Sequence, residues 1–277
     1  MQVIGDLFNA LFLAPIINLL VLILRILQAI NIPGALGFAI IILTVIIRVI
    51  IWPFMATQLK SAKKMADLKP HLDELKKKHG KDKQSFVKAQ MDLYKEHGVN
   101  PAGGCLPSII QIPIILALYQ VILSLFDKSG LEKINHFLYT NSWHINTPPD
   151  PQFFGVSLAD KPSDFAKIGV LILLIPIITA VLQFIQSKMM VTSPPKIKKT
   201  DTLKEKEEKI ETEDTMAAVQ SQMMYMMPIM IGYFAFSFPV GIAIYWNTFT
   251  VLGIIQQHKI SGWGGMENLI KNLKFKI

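Results

Sequence analysis

The chain has 277 residues, 51% of them hydrophobic, with mean hydropathy +0.40 and 28 basic against 20 acidic side chains, a net charge of +8. Apolar runs alternate with strongly charged stretches, which excludes a soluble globular pattern and points to one polytopic membrane unit. The single cysteine, Cys105, excludes an intramolecular disulfide. The histidines (His71, His79, His97, His136, His144, His258) are scattered, and no Cys/His/carboxylate cluster, Gly-rich phosphate loop or nucleophile elbow is present. The sequence therefore offers no metal site, no cofactor site and no catalytic residue, and does not read as an enzyme.

Residues 1–33 are expected to form an external, interfacial amphipathic helix. Leu7–Ile30 is apolar enough to be a sixth span, but Pro15, Asn18 and Arg25 interrupt it. No basic n-region or small-residue cleavage site marks a signal peptide, and no transit-peptide pattern is present, so a bacterial plasma (inner) membrane is expected.

Residues 34–55 form the first span, with Arg48 in its middle. An arginine at that depth costs about 2.5–3.5 kcal/mol even on the lenient insertion scale, which marks it as functional. The competing reading is an anchor that snorkels to the inner headgroups.

Residues 56–105 hold eleven lysines. Met65, Leu68, Leu72 and Leu75, then Val87, Met91 and Tyr94 (or Phe86 and Leu93), recur at helical spacing on either side of Gly80. The segment reads as a cytoplasmic helical hairpin with Pro70 kinking its first arm. Its basic stripe suits anionic headgroups or ribosomal RNA alike. Residues 106–126 are the second span, followed by an external loop over 127–164 with three lysines against five acids.

Residues 165–190 are the third span, and 191–218 a cytoplasmic loop with six lysines. The fourth span, 219–238, opens with a dense group of methionines, Met223, Met224, Met226, Met227 and Met230, whose thioethers suit an adaptable apolar surface. The fifth span, 239–258, leads to a cytoplasmic tail, 259–277, with four lysines. Alternating five spans puts every lysine-rich segment on one side, so the N-terminus is external and the C-terminus cytoplasmic.

Polar positions converge in depth. Arg48 lies seven residues, about 10 Å, above the inner end of its span, with Thr44 one turn before it. Gln183, Gln186 and Thr179 in the third span, Asn247 and Thr250 beside Trp246 in the fifth, and Ser108 and Gln111 in the second fall in the same inner half. Interhelical hydrogen bonds of about 0.6 kcal/mol each could account for the amides and hydroxyls. They do not account for Arg48, because no span holds an acid to pair with it. The expectation is a positively charged hydrophilic groove, open to the cytoplasm and closed outside.

Three segments together resemble the YidC/Oxa family of membrane protein insertases, in its short bacterial form without a large periplasmic domain. They are Leu43–Pro53 around Arg48, Tyr94–Pro113 with Gly98-Val-Asn-Pro-Ala-Gly-Gly-Cys-Leu-Pro107, and Met226–Met230 with Phe238–Trp246. The resemblance implies an all-α membrane fold of five helices around a groove whose arginine is Arg48 and whose glutamine and tryptophan are best matched by Gln183 and Trp246. It also implies a hydrophobic slide on the second and fourth spans, here Ile112 and Ile115 with the methionines. The implied function is integration of nascent membrane proteins into the lipid bilayer without nucleotide hydrolysis. The Sec translocon and the ribosome remain open as further partners, and no DNA partner is implied. Two departures stand out: the loop Ser193–Thr215 is longer than usual, and the tail carries only Lys259, Lys271, Lys274 and Lys276. The rival readings are an anion transporter or channel using Arg48 as its binding charge, and a passive scaffold.

Overall fold

The computed structural model describes residues 2–79, 82–99, 106–190, 213–267 and 270, and side chains are not described at 2, 69, 76, 83, 106–110 and 213–224. The expected hairpin turn at Gly80, Cys105, the loop Ser193–Thr215 and Lys271, Lys274 and Lys276 of the tail lie outside the described residues, in whole or nearly so, as do the side chains of Ser108, Met223 and Met224. The architecture is helical: α1 (Gln2–Phe8), α2 (Ala14–Ala29), α3 (Ala35–Asp67), α4 (Lys69–His79), α5 (Lys83–Glu96), α6 (Leu106–Ser124), α7 (Lys128–His136), α8 (Phe165–Ile168), α9 (Leu174–Met190), α10 (Glu213–Ser237) and α11 (Val240–Ser261). Among the described residues, three helical segments are long and apolar enough to cross a membrane: Val3–Ala29, Ala35–Asp67 and Val170–Met190. Gln111–Ser124 and Tyr225–Ser237 are shorter apolar helices.

α3 has 33 residues, about 50 Å at helical rise, and so exceeds a hydrocarbon core of about 30 Å. It passes through Pro53, where Thr57 Oγ1 donates to the Pro53 carbonyl (3.0 Å), and carries its basic end Lys60–Lys64 onward without a break. It stops at Asp67, three residues before Pro70, whose ring cannot continue the ladder, and α4 starts afresh at Lys69. α4 and α5 pair through a small cluster of Leu68, Tyr94 and Val99 with Met65 and Leu72. Val87 and Met91 face solvent, so Phe86 and Leu93 share the inner side with Tyr94. Asp82 caps α5, accepting from Gln84 N (3.0 Å), Ser85 N (3.2 Å) and Ser85 Oγ (2.6 Å).

The main core joins α2, α3, α6, α7 and α11 through Leu20, Leu24, Leu36, Leu43, Leu118, Ile122, Ile134 and Tyr245. α9 packs between α10 and α11, and α11 lies on α3. The third apolar segment does not begin as a clean helix. α8 ends at Gly169 (φ +118), a short tight turn covers Val170–Leu173, and α9 starts at Leu174.

The loop 127–164 is a built lid. Antiparallel strands β1 (Gln152–Phe153) and β2 (Val156–Ser157) form a hairpin whose Phe153 ring wedges against the start of α3. A Cβ at Gly37 would stand 2.2 Å from Phe153 Cδ2, so only glycine admits that ring. The loop then closes over α11: Val240 N donates to Asp160 O (2.9 Å) and Gly241 N to Leu158 O (3.0 Å). Two amides at the α11 N-terminus thus find partners, with Leu158 fully buried beneath them.

Candidate functional site

Arg48 is 1% exposed, among the largest fully buried side chains described. Its guanidinium carbon sits 4.2 Å from the centroid of the Phe249 ring on α11. Nη2 points at Gly253, one turn further along α11, and the Gln186 carboxamide of α9 comes to the same glycine. Nε and Nη1 have no hydrogen-bond partner within the protein.

The other expected residues sort by what they touch. Thr44 is fully buried, and its hydroxyl is committed to the Ile40 carbonyl of its own helix (2.6 Å). Thr179 does the same with Ile175 O (2.9 Å). Gln111 reaches across from α6 and donates to the Tyr245 hydroxyl. Gln183 and Gln186 are both partly exposed, and Gln186, rather than the Gln183 that the sequence resemblance best matches, comes with Arg48 to Gly253. Thr250 is 3% exposed, and Asn247 Oδ1 is buried with no partner within the protein.

Residues that pattern reading did not single out complete the site. Tyr245, Phe249 and Gln256 lie along one side of α11 toward α3, and Gln256 Nε2 donates to the Trp52 carbonyl (3.0 Å). Gln256 Oε1 and Gln257 Oε1 are buried with no partner within the protein. Unpaired buried polar atoms usually cost about 1–3 kcal/mol each; two of these five belong to Arg48 and three are spread along α11.

Aromatic rings tie the helices together. Trp246 stacks on Phe234 of α10 (6.4 Å), Phe234 on Phe238 (5.5 Å), and Phe238 meets Tyr119 of α6 (5.1 Å). The junction between α10 and α11 thus touches α6 near the loop-capped end of the bundle. Toward their other ends, Ile112 (59% exposed) and Leu116 on α6, and Met226, Met227 and Met230 on α10, remain exposed. Ile115 instead packs half-buried against the core.

The sequence model of a family described as the 60Kd inner membrane protein matches residues 27–264. A curated membrane protein insertase YidC of Fusobacterium nucleatum subsp. nucleatum is 33% identical over 227 residues, covering 82% of this chain and 86% of that protein. The YidC proteins of Cupriavidus pinatubonensis and Polynucleobacter asymbioticus are each 31% identical over 81% and 83% of this chain, which spans only 32% and 33% of their length. A crystal structure of an active YidC insertase with its first transmembrane domain resolved shares the fold, with TM-score 0.50 and 23% identity over 85% of this chain and 44% of that one.

Proposed function

The chain belongs to the 60Kd inner membrane protein family, as a multi-pass membrane protein, and on that premise we propose that it is an insertase that integrates nascent membrane proteins into the bilayer. The observation that carries the mechanism is Arg48, a buried guanidinium with two donor nitrogens free of protein partners. An incoming segment with a short acidic external tail is drawn to that charge, because Coulomb attraction strengthens several-fold outside bulk water. The unpaired oxygens of Asn247, Gln256 and Gln257 on α11 offer acceptors for its backbone amides as lipid-side water is lost. The apolar part of the substrate leaves along Ile112 and the α10 methionines, where α6 and α10 present exposed apolar side chains. The step needs no nucleotide, since attraction and burial of the apolar segment both run downhill.

The same reading has five spans (α3, α6, α9, α10 and α11), with the α4–α5 hairpin and C-terminus cytoplasmic and 127–164 external. The N-terminal helix lies in the outer interface. Asn18 Nδ2 donates to Phe137 O (2.8 Å), Tyr139 N donates to Asn18 Oδ1 (2.8 Å), and Arg25 Nη2 donates to His144 O (3.1 Å). Asn18 and Arg25 stand about 10 Å apart along α2, so one irregular loop follows the helix over that length. Lipid-exposed irregular backbone is not tolerated in hydrocarbon, which supports an interfacial rather than a spanning helix. Cysteine placed at Gln2 in a Cys105-free variant should then react with an impermeant outer-side reagent, whereas cytoplasmic labelling would make this helix a sixth span.

The functional test is reconstitution. Proteoliposomes holding the full chain should integrate a small acidic-tailed membrane protein and should not accelerate anion flux. Anion flux without integration would instead make Arg48 the binding charge of a transporter.

A further inference from the structure

Gly253 sits in the interior of α11 with ordinary helical backbone, since it is not among the glycines of positive φ. Neither a turn nor a cap explains a glycine there, and alanine is the better helix former. The space explains it. A Cβ at Gly253 would lie 2.3 Å from Gln186 Nε2 and 2.9 Å from Arg48 Nη2, with Gln186 Cδ next at 3.4 Å. These nearest atoms are all far ends of flexible side chains. The contrast with Gly264 is sharp, where a Cβ would run into the Met189 carbonyl oxygen at 2.1 Å and the helices themselves would have to move.

We infer that Gly253 is a positioning residue for the groove: its missing side chain leaves the seat in which the Arg48 guanidinium and the Gln186 carboxamide meet, and so sets where positive charge is presented to an acidic substrate segment. This rests on the insertase reading above. A methyl group at this position displaces the two polar ends and leaves α3, α9 and α11 packed. Phe249, one turn before Gly253, supplies the ring over which the guanidinium lies. The guanidinium is thus held between a ring and a gap on a single helix, and shifting it sideways changes its reach without removing its charge.

The experiment compares integration of two substrates, identical except for an acidic or a neutral external tail, by the full chain in proteoliposomes. Gly253→Ala should lower the acidic-to-neutral ratio several-fold, in the range expected for side chains in direct contact, while accumulation and melting temperature stay at the level of the unmodified chain. In an Arg48→Lys background, where the side chain lacks the Nη2 branch that a methyl would meet, Gly253→Ala should change the ratio little. A ratio unaltered by Gly253→Ala, while Arg48→Ala lowers it, would overturn the positioning role and leave the groove reading standing. A ratio unaltered by Arg48→Ala would remove both. Equal losses in the Arg48 and Arg48→Lys backgrounds, or failure of Gly253→Ala to accumulate, would assign this glycine to helix packing and contradict the inference.

Discussion

Arg48 lies with its guanidinium carbon 4.2 Å from the centre of the Phe249 ring, so the charge in the middle of α3 rests on an aromatic face of α11 rather than on a carboxylate. A cation over a ring gains about 0.5–2 kcal/mol, far less than a buried ion pair would hold against an incoming acid. In the proposed function, such a hold keeps the charge in place yet lets it exchange its ring for a stronger anionic partner.

Replacing that ring tests the arrangement. Phe249→Leu keeps most of the volume and removes the π face, and should lower stability by about 1–2 kcal/mol. The charge is retained, so integration of acidic-tailed substrates should stay well above the level of Arg48→Ala. A thermal melt in detergent and an insertion assay on the same preparation check both parts. Insertion as low as that of Arg48→Ala would mean that the ring, and not only the charge, is required.

Asn18 is 4% exposed and ties α2 to the backbone of Phe137 and Tyr139. Asn18→Ala leaves a carbonyl and an amide there without their partner, an expected loss of about 1–3 kcal/mol. Hydrogen exchange at Tyr139 N should rise first. A melting curve unchanged from that of the parent chain would show that the loop–helix seam holds nothing together.

The hairpin depends on its cap. The Ser85 hydroxyl, and after it the Ser85 amide, holds the Asp82 carboxyl below its ordinary value. A depressed carboxyl contributes stability that is present above its unfolded value of about 3.9 and is lost as pH falls through its lower folded value. Exchange protection at Gln84 N and Ser85 N should therefore be flat from neutral pH down to about 5 and weaken only in stronger acid. Asp82→Ala should abolish that protection at every pH, whereas protection surviving in the variant would mean that the α5 start is fixed by packing instead.

Much of this was legible in the sequence, and the failures have physical causes. A lone arginine in an apolar run announces itself, because hydrocarbon penalises charge whatever the tertiary structure. Helical spacing also singles out Gln186, which the structure brings to Gly253 beside Arg48. Register alone does not say which face of α11 turns to α3, so Tyr245, Phe249, Gly253 and the pair Gln256 and Gln257 carry no signal in the sequence. The sequence ends the first span at Met55, where apolar gives way to basic, and does not show that the helix itself runs on. The helix ignores that change, since Thr57–Lys64 contains ordinary helix formers and nothing stops it before Pro70. The build of the 127–164 loop is not legible in the sequence, because two-residue strands are too short for alternation and the Phe153 wedge depends on glycines more than a hundred residues away.

The central claim is that Arg48 attracts acidic segments by its charge. The measurement is integration of an acidic-tailed substrate and its neutral-tailed twin by the parent chain, Arg48→Ala and Arg48→Lys in proteoliposomes. Arg48→Ala should sharply reduce integration of the acidic substrate and affect the neutral one less. Arg48→Lys should retain much of the activity, since attraction of a mobile tail needs charge rather than a bidentate fork. Accumulation of Arg48→Ala should not fall, because a buried charge with unpaired donors has been removed. Unchanged integration of the acidic substrate by a well-folded Arg48→Ala protein would contradict the account.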